Sequence, residues 1–269
     1  MRKLVFLVVA FVLVILPMGA QATIIAADSF DYSAGTLVGK GSAADPGWSG
    51  SWTGDVAVID GGSLSYTDTK GNQLVTAGNS VQTAPGTVLS YRGFEVPLLT
   101  TASYVYISFL MDNYNVGAKW SGISLYNSST ELFFMGKPGN TSYVGVERKI
   151  PLYQMLSTES FSDPLFFVIC LQLVNNGTAA QAFFWLNPDL DDNDQLNTGS
   201  FIGFTSWSDY TFNQIRIAGE TGVMFDELRI GTTYSDVSPF VPQTTVPEPT
   251  TIFLLGCGLV GLVGVRKKF

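Results

Sequence analysis

The 269-residue chain contains no histidine. That absence excludes histidine-based catalytic triads, imidazole general-base catalysis, His-ligated zinc and His-ligated haem. Cysteine is almost missing as well. Cys170 falls in an apolar run and reads as a small buried hydrophobe, while Cys257 falls by chance in an apolar tail, so no disulfide staples the fold. Charged residues make up only 13% of the chain, and no long stretch has the 3.6-residue apolar period of an amphipathic helix. No repeat of solenoid or propeller period is visible. What is left must be held together by an apolar core.

The two ends are what the sequence does have in abundance. Met1-Arg2-Lys3 is a short basic region, Leu4 to Leu16 is apolar, and Ala20-Gln21-Ala22 is an A-x-A cleavage site. The pattern predicts a signal peptide over residues 1–22, cleaved after Ala22. Pro17 and Gly19 break the apolar span just before the small residues, which argues against an uncleaved anchor. At the other end, Val246-Pro247-Glu248-Pro249 forms a stiff spacer, because proline fixes φ and lacks an N–H donor. Residues 250–265 follow without a charge, and Arg266-Lys267-Lys268 closes the run. Basic residues after an apolar span stay on the cytoplasmic side, so the preceding chain faces outward. Sixteen residues at ~1.5 Å each fall short of a ~30 Å hydrocarbon core, as suits a temporary anchor.

Pro247, Glu248 and Pro249, the apolar segment, and Arg266, Lys267 and Lys268, in that order, resemble the PEP-CTERM sorting signal of Gram-negative bacteria. The resemblance implies export by the secretion machinery, a pause in the inner membrane, and cleavage near the motif by an exosortase. A plain C-terminal anchor behind a Pro-rich spacer is the competing reading.

Between these ends the composition points outward too. Setting aside Glu248 leaves twenty-one of the twenty-two acidic residues. Setting aside Arg2, Lys3, Arg266, Lys267 and Lys268 leaves nine of the fourteen basic ones, a net charge near −12. Such a balance disfavours nucleic acid and anionic lipid, and favours solubility or cation binding.

The body reads as strands bounded by Gly, Asn, Asp, Ser and Pro clusters. Strands are predicted over residues 103–111, 122–126, 131–135, 165–174, 182–187, 212–217 and 223–230, with turns at Asn127-Ser128-Ser129 and Asn175-Asn176-Gly177-Thr178. Leu152 to Ser157 is expected to form one short turn. Phe225 and Leu228 can both point inward only if the strand is irregular at Asp226-Glu227. The fold class is all-β, an antiparallel two-sheet sandwich over residues 23–237, with a Pro/Thr linker over 238–246 and the sorting signal over 247–269. Asp28-Ser29-Phe30-Asp31-Tyr32, Gly47-Trp48, Ser51-Trp52, Trp185-Leu186-Asn187-Pro188 and Phe225 to Gly231 resemble exported domains of the concanavalin A-like, laminin G-like group. That resemblance implies that the sandwich is a jelly roll, with curved stacked sheets and the first and last strands adjacent.

Three places carry candidate chemistry. Asp189, Asp191 and Asn193 fall at the first, third and fifth places of a calcium loop, but Asp194 stands in the glycine place and Ser200 in the glutamate place. A solvated loop and a Ca2+ site are the two readings. A second ion site pairs Asp28 or Asp31 with Asp226, where the terminal strands are expected to meet. Trp48 and Trp52, set among Gly and Ser, are the candidates for an exposed sugar-stacking platform. Glycoside cleavage needs two carboxyls aimed into one groove, and the Glu-x-Asp strings of jelly-roll glucanases do not occur. Asp226 and Glu227 are consecutive and would face opposite sides of a regular strand. The reading is an exported, non-enzymatic structural or adhesive protein of the envelope or extracellular matrix. The alternatives are a lectin-like module on exopolysaccharide and, behind it, a glycoside hydrolase.

Overall fold

The computed structural model describes residues 23–54, 57–84, 86, 88–98, 104–114, 120–139, 141–150, 152–157, 164–172, 181–191 and 211–243. Residues 1–22 with Ala20 and Ala22, Asn193, the 175–178 turn, and the tail with Pro247 to Pro249 and Arg266 to Lys268 lie outside them. Among the described residues, no helix is long and apolar enough to cross a membrane.

The strands, in chain order, are β1 (Ile24–Asp28), β2 (Gly35–Thr36), β3 (Thr53–Gly54), β4 (Ala57–Asp60), β5 (Gln73–Leu74), β6 (Ser80–Thr83), β7 (Val88–Leu98), β8 (Tyr104–Asp112), β9 (Ser121–Asn127), β10 (Thr130–Lys137), β11 (Gly145–Lys149), β12 (Leu152–Leu156), β13 (Leu165–Gln172), β14 (Gln181–Leu186), β15 (Phe212–Gly219) and β16 (Met224–Gly231), followed by the four-residue helix α1 (Tyr234–Val237) and β17 (Phe240–Val241). An eight-stranded sheet runs β14-β13-β8-β16-β6-β4-β2, with β1 also pairing β16. A seven-stranded sheet runs β12-β11-β10-β9-β15-β7-β3, and β17 pairs β5 in a small third sheet. First and last long strands are therefore adjacent, Asp28 standing opposite Leu228.

Period-2 alternation explains the layering. Ile123, Leu125, Phe133, Met135, Val146, Ile215 and Ile217 of the seven-stranded sheet meet Ile107, Phe109, Phe167, Ile169, Phe225 and Leu228 of the other in one buried core. The eight-stranded sheet is apolar on its outer face as well. Leu110, Phe166, Val168, Cys170, Phe183 and Trp185 pack there beneath Tyr66, Leu74, Tyr234 and Val237. Strands buried on both faces read as continuous apolar runs, which is why Leu165 to Leu171 shows no alternation.

Two expectations are corrected. Leu152–Leu156 is an edge strand, not a turn, because it closes a hairpin on Gly145–Lys149. The stretch expected to begin a linker at Ser238 is still part of the domain: Ser238 is buried, Phe240 faces Leu74, and Val241 faces Gln73.

Candidate functional site

The outer face of the seven-stranded sheet carries polar and charged side chains beside its rings, whereas the outer cluster of its partner is apolar. Register places Thr53, Tyr91, Arg216, Ser124, Phe134, Glu147 and Gln154 in one row crossing all seven strands. Their chain neighbours Ile123, Leu125, Phe133, Val146, Ile215 and Ile217 fill the core, so this row points the other way.

Arg216 is the centre of that row and is 8% exposed. Its Nη2 donates to Glu131 Oε1 at 2.8 Å and to Ser124 Oγ at 2.8 Å, and its Nη1 donates to the Tyr126 hydroxyl. Ser124 Oγ also donates to Glu131 Oε1 at 2.7 Å. The guanidinium lies 5.3 Å from the Trp120 ring centre and 5.1 Å from that of Tyr126, within cation–π range. Burial pushes the Tyr126 phenol up, with the Arg216 charge opposing. Three strands over, on β11, Lys149 pairs with Glu147, and Gln154 Nε2 donates to Glu147 Oε1 at 2.8 Å. The Lys149 ammonium sits 5.1 Å over the Phe134 ring, which Trp120 meets edge-on at 6.3 Å. Trp120, Glu131, Glu147, Lys149 and Arg216 line a cavity of about 220 Å³. It combines ring faces, two cations and two carboxylates, a lining suited to stacking and hydrogen-bonding a polyhydroxylated ligand.

The residues singled out from sequence lie elsewhere. Trp48 and Trp52 are fully buried and form no exposed platform. Trp48 Nε1 donates to the Ala27 carbonyl and Trp52 Nε1 to Asp28 Oδ2, both at 2.9 Å. The physical reason is Gly47, which at φ 82° packs backbone to backbone: a Cβ there would collide with the Ile25 carbonyl. Glycine in this loop marks tight packing rather than exposure. Asp28 also accepts from Tyr32 at 2.8 Å and from Arg92 Nη1 at 2.7 Å, and Arg92 is 1% exposed.

Asp189 and Asp191 hold an ammonium. Lys70 Nζ lies 2.6 Å from Asp191 Oδ1 and 3.5 Å from Asp189 Oδ2, and Thr69 Oγ1 donates to Asp189 at 2.6 Å. Nearby Asp68 is saturated by donors from Leu190, Asn72 and Lys70; these outweigh burial and hold its carboxyl below the usual range. Among the described residues no three acidic, cysteine or histidine side chains converge as a metal site would require. Among the described residues these groups are committed to Lys70 and Thr69 rather than open to a calcium ion; Asn193, the third candidate ligand, lies outside them. The second ion site fails likewise, since Asp28 is taken by Arg92, Asp31 is exposed and Asp226 is bonded to Ser63 and Leu64.

Asp226 and Glu227 depart from the regular strand. Glu227 takes φ 52° and the pairing with β8 slips between Asp226 and Arg229. This bulge lets Phe225 and Leu228 both reach the core, as the irregular-strand expectation required. It also swings both carboxylates toward one segment, so they are not separated as consecutive strand residues would be. Neither is solvated.

Residues 245–268 match the PEP-CTERM protein-sorting motif. This is an exported protein sorted to the cell envelope. The motif implies processing by an exosortase. No curated protein is similar to the chain in sequence. Solved structures similar in fold include an endo-1,3-β-glucanase from Streptomyces sioyaensis, at 9% identity and TM-score 0.48 over 79% of this chain and 96% of that one. Another is a GH131 β-glucanase catalytic domain from Podospora anserina, at 11% identity and TM-score 0.46 over 79% and 99%. A third is domain 4 of an extracellular GH43 arabinanase from Geobacillus stearothermophilus, solved with arabinotriose, at 14% identity and TM-score 0.43 over 80% and 97%. They share the jelly-roll sandwich.

Sequence reasoning missed Arg216, Glu131, Glu147 and Trp120 as a group. A signal for Arg216 was present: an arginine between Ile215 and Ile217 in a strand must find its partners on the sheet's outer face.

Proposed function

We propose that this exported protein is a non-enzymatic, adhesive component of the outer surface or extracellular matrix of a Gram-negative bacterium, and that the Arg216 cavity holds exopolysaccharide. In this reading the chain loses residues 1–22 on export and the segment beyond Pro247-Glu248-Pro249 on sorting. The observation that carries the binding role is the lining of the cavity: Trp120 and Phe134 rings beside Arg216, Lys149, Glu131 and Glu147. Its cations and carboxylates balance, so a neutral or weakly charged polymer meets no net opposing charge there.

A hydrolase is the second reading, because Glu131 and Glu147 line the same cavity. Glycoside cleavage asks one carboxyl to donate a proton and the other to attack or activate water. Both glutamates instead accept from a cation and from a neutral side chain: Arg216 and Ser124 for Glu131, Lys149 and Gln154 for Glu147. That commitment favours holding over cutting. The test is retention of the full chain on the producer's exopolysaccharide, with reducing ends assayed in parallel. Retention that falls at least tenfold in Trp120→Ala, with no reducing ends released, supports the binding role. Reducing ends that vanish in Glu131→Gln or Glu147→Gln would make it a hydrolase.

A further inference from the structure

The Asp226-Glu227 bulge and the C-terminal exit of the domain are connected through one segment, residues 62–77. This strap folds back on itself over the outer face of the eight-stranded sheet. Thr67 bridges Gln73, Leu74 N donates to the Tyr66 carbonyl at 3.0 Å, and Gly71 N donates to the Asp68 carbonyl at 3.1 Å. Buried Tyr66 and Leu74 fasten it to the second apolar cluster.

Three buried charged residues grip the strap at its two ends. At one end Asp226 Oδ2 accepts from Ser63 Oγ at 2.6 Å and from Leu64 N at 2.7 Å. At the other, Glu227 accepts from Ala77 N, and Arg229 donates both to the Val75 carbonyl and to Glu227. Asp226 is fully buried, and Glu227 is 2% and Arg229 9% exposed. The left-handed backbone of Glu227 is what allows two consecutive acidic residues to reach the same segment.

The strap in turn holds the last strand. Phe240 and Val241 pair with Leu74 and Gln73, Val75 N donates to the Pro239 carbonyl at 2.8 Å, and Gln243 N donates to Asn72 Oδ1 at 3.3 Å. Gly71 at φ 84° receives the Gln243 side chain where a Cβ would collide with it. From Gln243 to Pro247 the chain can span at most about 14 Å, four residues at full extension. As long as the strap is closed, the region presented for sorting cleavage is confined to that short interval.

We propose that residues 62–77 form a clasp on the exit of the domain: the Asp226-Glu227-Arg229 bulge grips the strap, and the strap grips the strand leading to the sorting motif. Opening the clasp frees β17 and lengthens the tail available to a membrane-embedded protease without dismantling either large sheet. The chain thereby couples completion of the fold to where its tail is cut, because the gripping residues lie on β16 at the middle of the eight-stranded sheet and can be placed only once that sheet has formed.

The experiment is amide hydrogen exchange on the full chain in mild detergent, comparing wild type with Asp226→Asn and with the milder Ser63→Ala. The expected result is at least tenfold faster exchange at Leu74, Val75 and Gln243 in either variant, with the amides of β8 and β13 unchanged. A Gln73→Cys/Val241→Cys crosslink, joining facing residues, should return Val75 and Gln243 to wild-type exchange in the Ser63→Ala background. Unchanged exchange at the strap in Ser63→Ala, or equal acceleration in β8 and β13, would overturn the clasp.

Discussion

Two arginines sit against carboxylates and tryptophans in this molecule, and only one of them borders open space. Arg92 is sealed: its side chain is 0% exposed, it bridges Asp28 and Asp45, donates to the Gly50 carbonyl, and stacks over Trp48 at 4.6 Å. Arg216 bonds Glu131, Ser124 and Tyr126 through Nη1 and Nη2 while its buried Nε has no partner, and it walls a cavity of about 220 Å³ together with Glu131. The first knot ties β1, the 40–52 loop and β7 together inside the main core. The second lies on a sheet face and ties nothing that the row of strand pairing does not already hold. The chemistry is nearly the same, and Asp45 beside Arg92 is no less open than Glu131 beside Arg216 (39% against 24%), so the cavity, and not the ion pair, marks the Arg216 group as one that serves a ligand.

The largest expected effect breaks that comparison at the sealed site. Arg92→Met leaves Asp28 buried without its cation, a change that typically costs about 3–5 kcal/mol. Arg216→Met leaves Glu131 its Ser124 donor and access to water, and should cost about 1 kcal/mol or less. Urea midpoints of the two variants measure the gap. Equal losses would mean that the Arg216 group is as structural as the knot.

Another buried carboxylate sharpens the contrast through pH. Burial, with Glu227 alongside and the bonds from Ser63 and Leu64 opposing, pushes Asp226 up to about 7. A raised folded value favours the native state at low pH. That contribution is full below about pH 4 and is lost as pH rises toward 7. Stability should therefore fall by roughly 2–3 kcal/mol between pH 5 and 7 and level off above it. In Asp226→Asn the slope over this window should flatten, as read from melting temperatures across the range. A slope that survives the substitution would assign it elsewhere.

The same comparison shows what was legible in the sequence. Strand positions followed from alternation and turn residues, and the irregularity at Asp226-Glu227 followed from requiring Phe225 and Leu228 in one core. The pairing of the terminal strands came with the resemblance of the whole body. Site geometry was harder. Trp48 and Trp52 looked exposed because Gly and Ser surround them, but Gly47 allows the loop to press against the Ile25 carbonyl, and exposure depends on that non-local contact. Trp120 showed nothing local to set it apart, since its value comes from Arg216, ninety-six positions further along the chain and two strands from Phe134 by register. Long-range register converts scattered residues into a site, and it cannot be read from spacing.

A smaller effect tests the open site directly. Arg216→Ala removes the cation that spans Trp120 and Tyr126 and unties Glu131. Retention on the producer's exopolysaccharide should fall about tenfold, equivalent to ~1.4 kcal/mol, with the fold kept. Arg216→Lys, which retains charge but not the planar fork, should recover only part of it. Full retention in Arg216→Ala would move the ligand to another surface.

The smallest effect is expected where acidic residues are densest. Asp189 and Asp191 converge on Lys70, so the charge that calcium would supply is already provided by an ammonium from the strap. The hydrogen bond that Lys70 donates to Asp191, with the charge of both carboxylates, raises the Lys70 pKa and keeps that ammonium protonated. Adding a chelator should leave the melting temperature of the wild type where it is, because removing an ion that does not hold the loop removes no stability. Lys70→Ala is the sharpening variant: it leaves two carboxylates facing each other without a cation, and added calcium should then raise its melting temperature. A wild-type melting curve that drops in chelator would show that calcium displaces Lys70, and would turn this loop from a salt-bridged cover of the strap into an ion site.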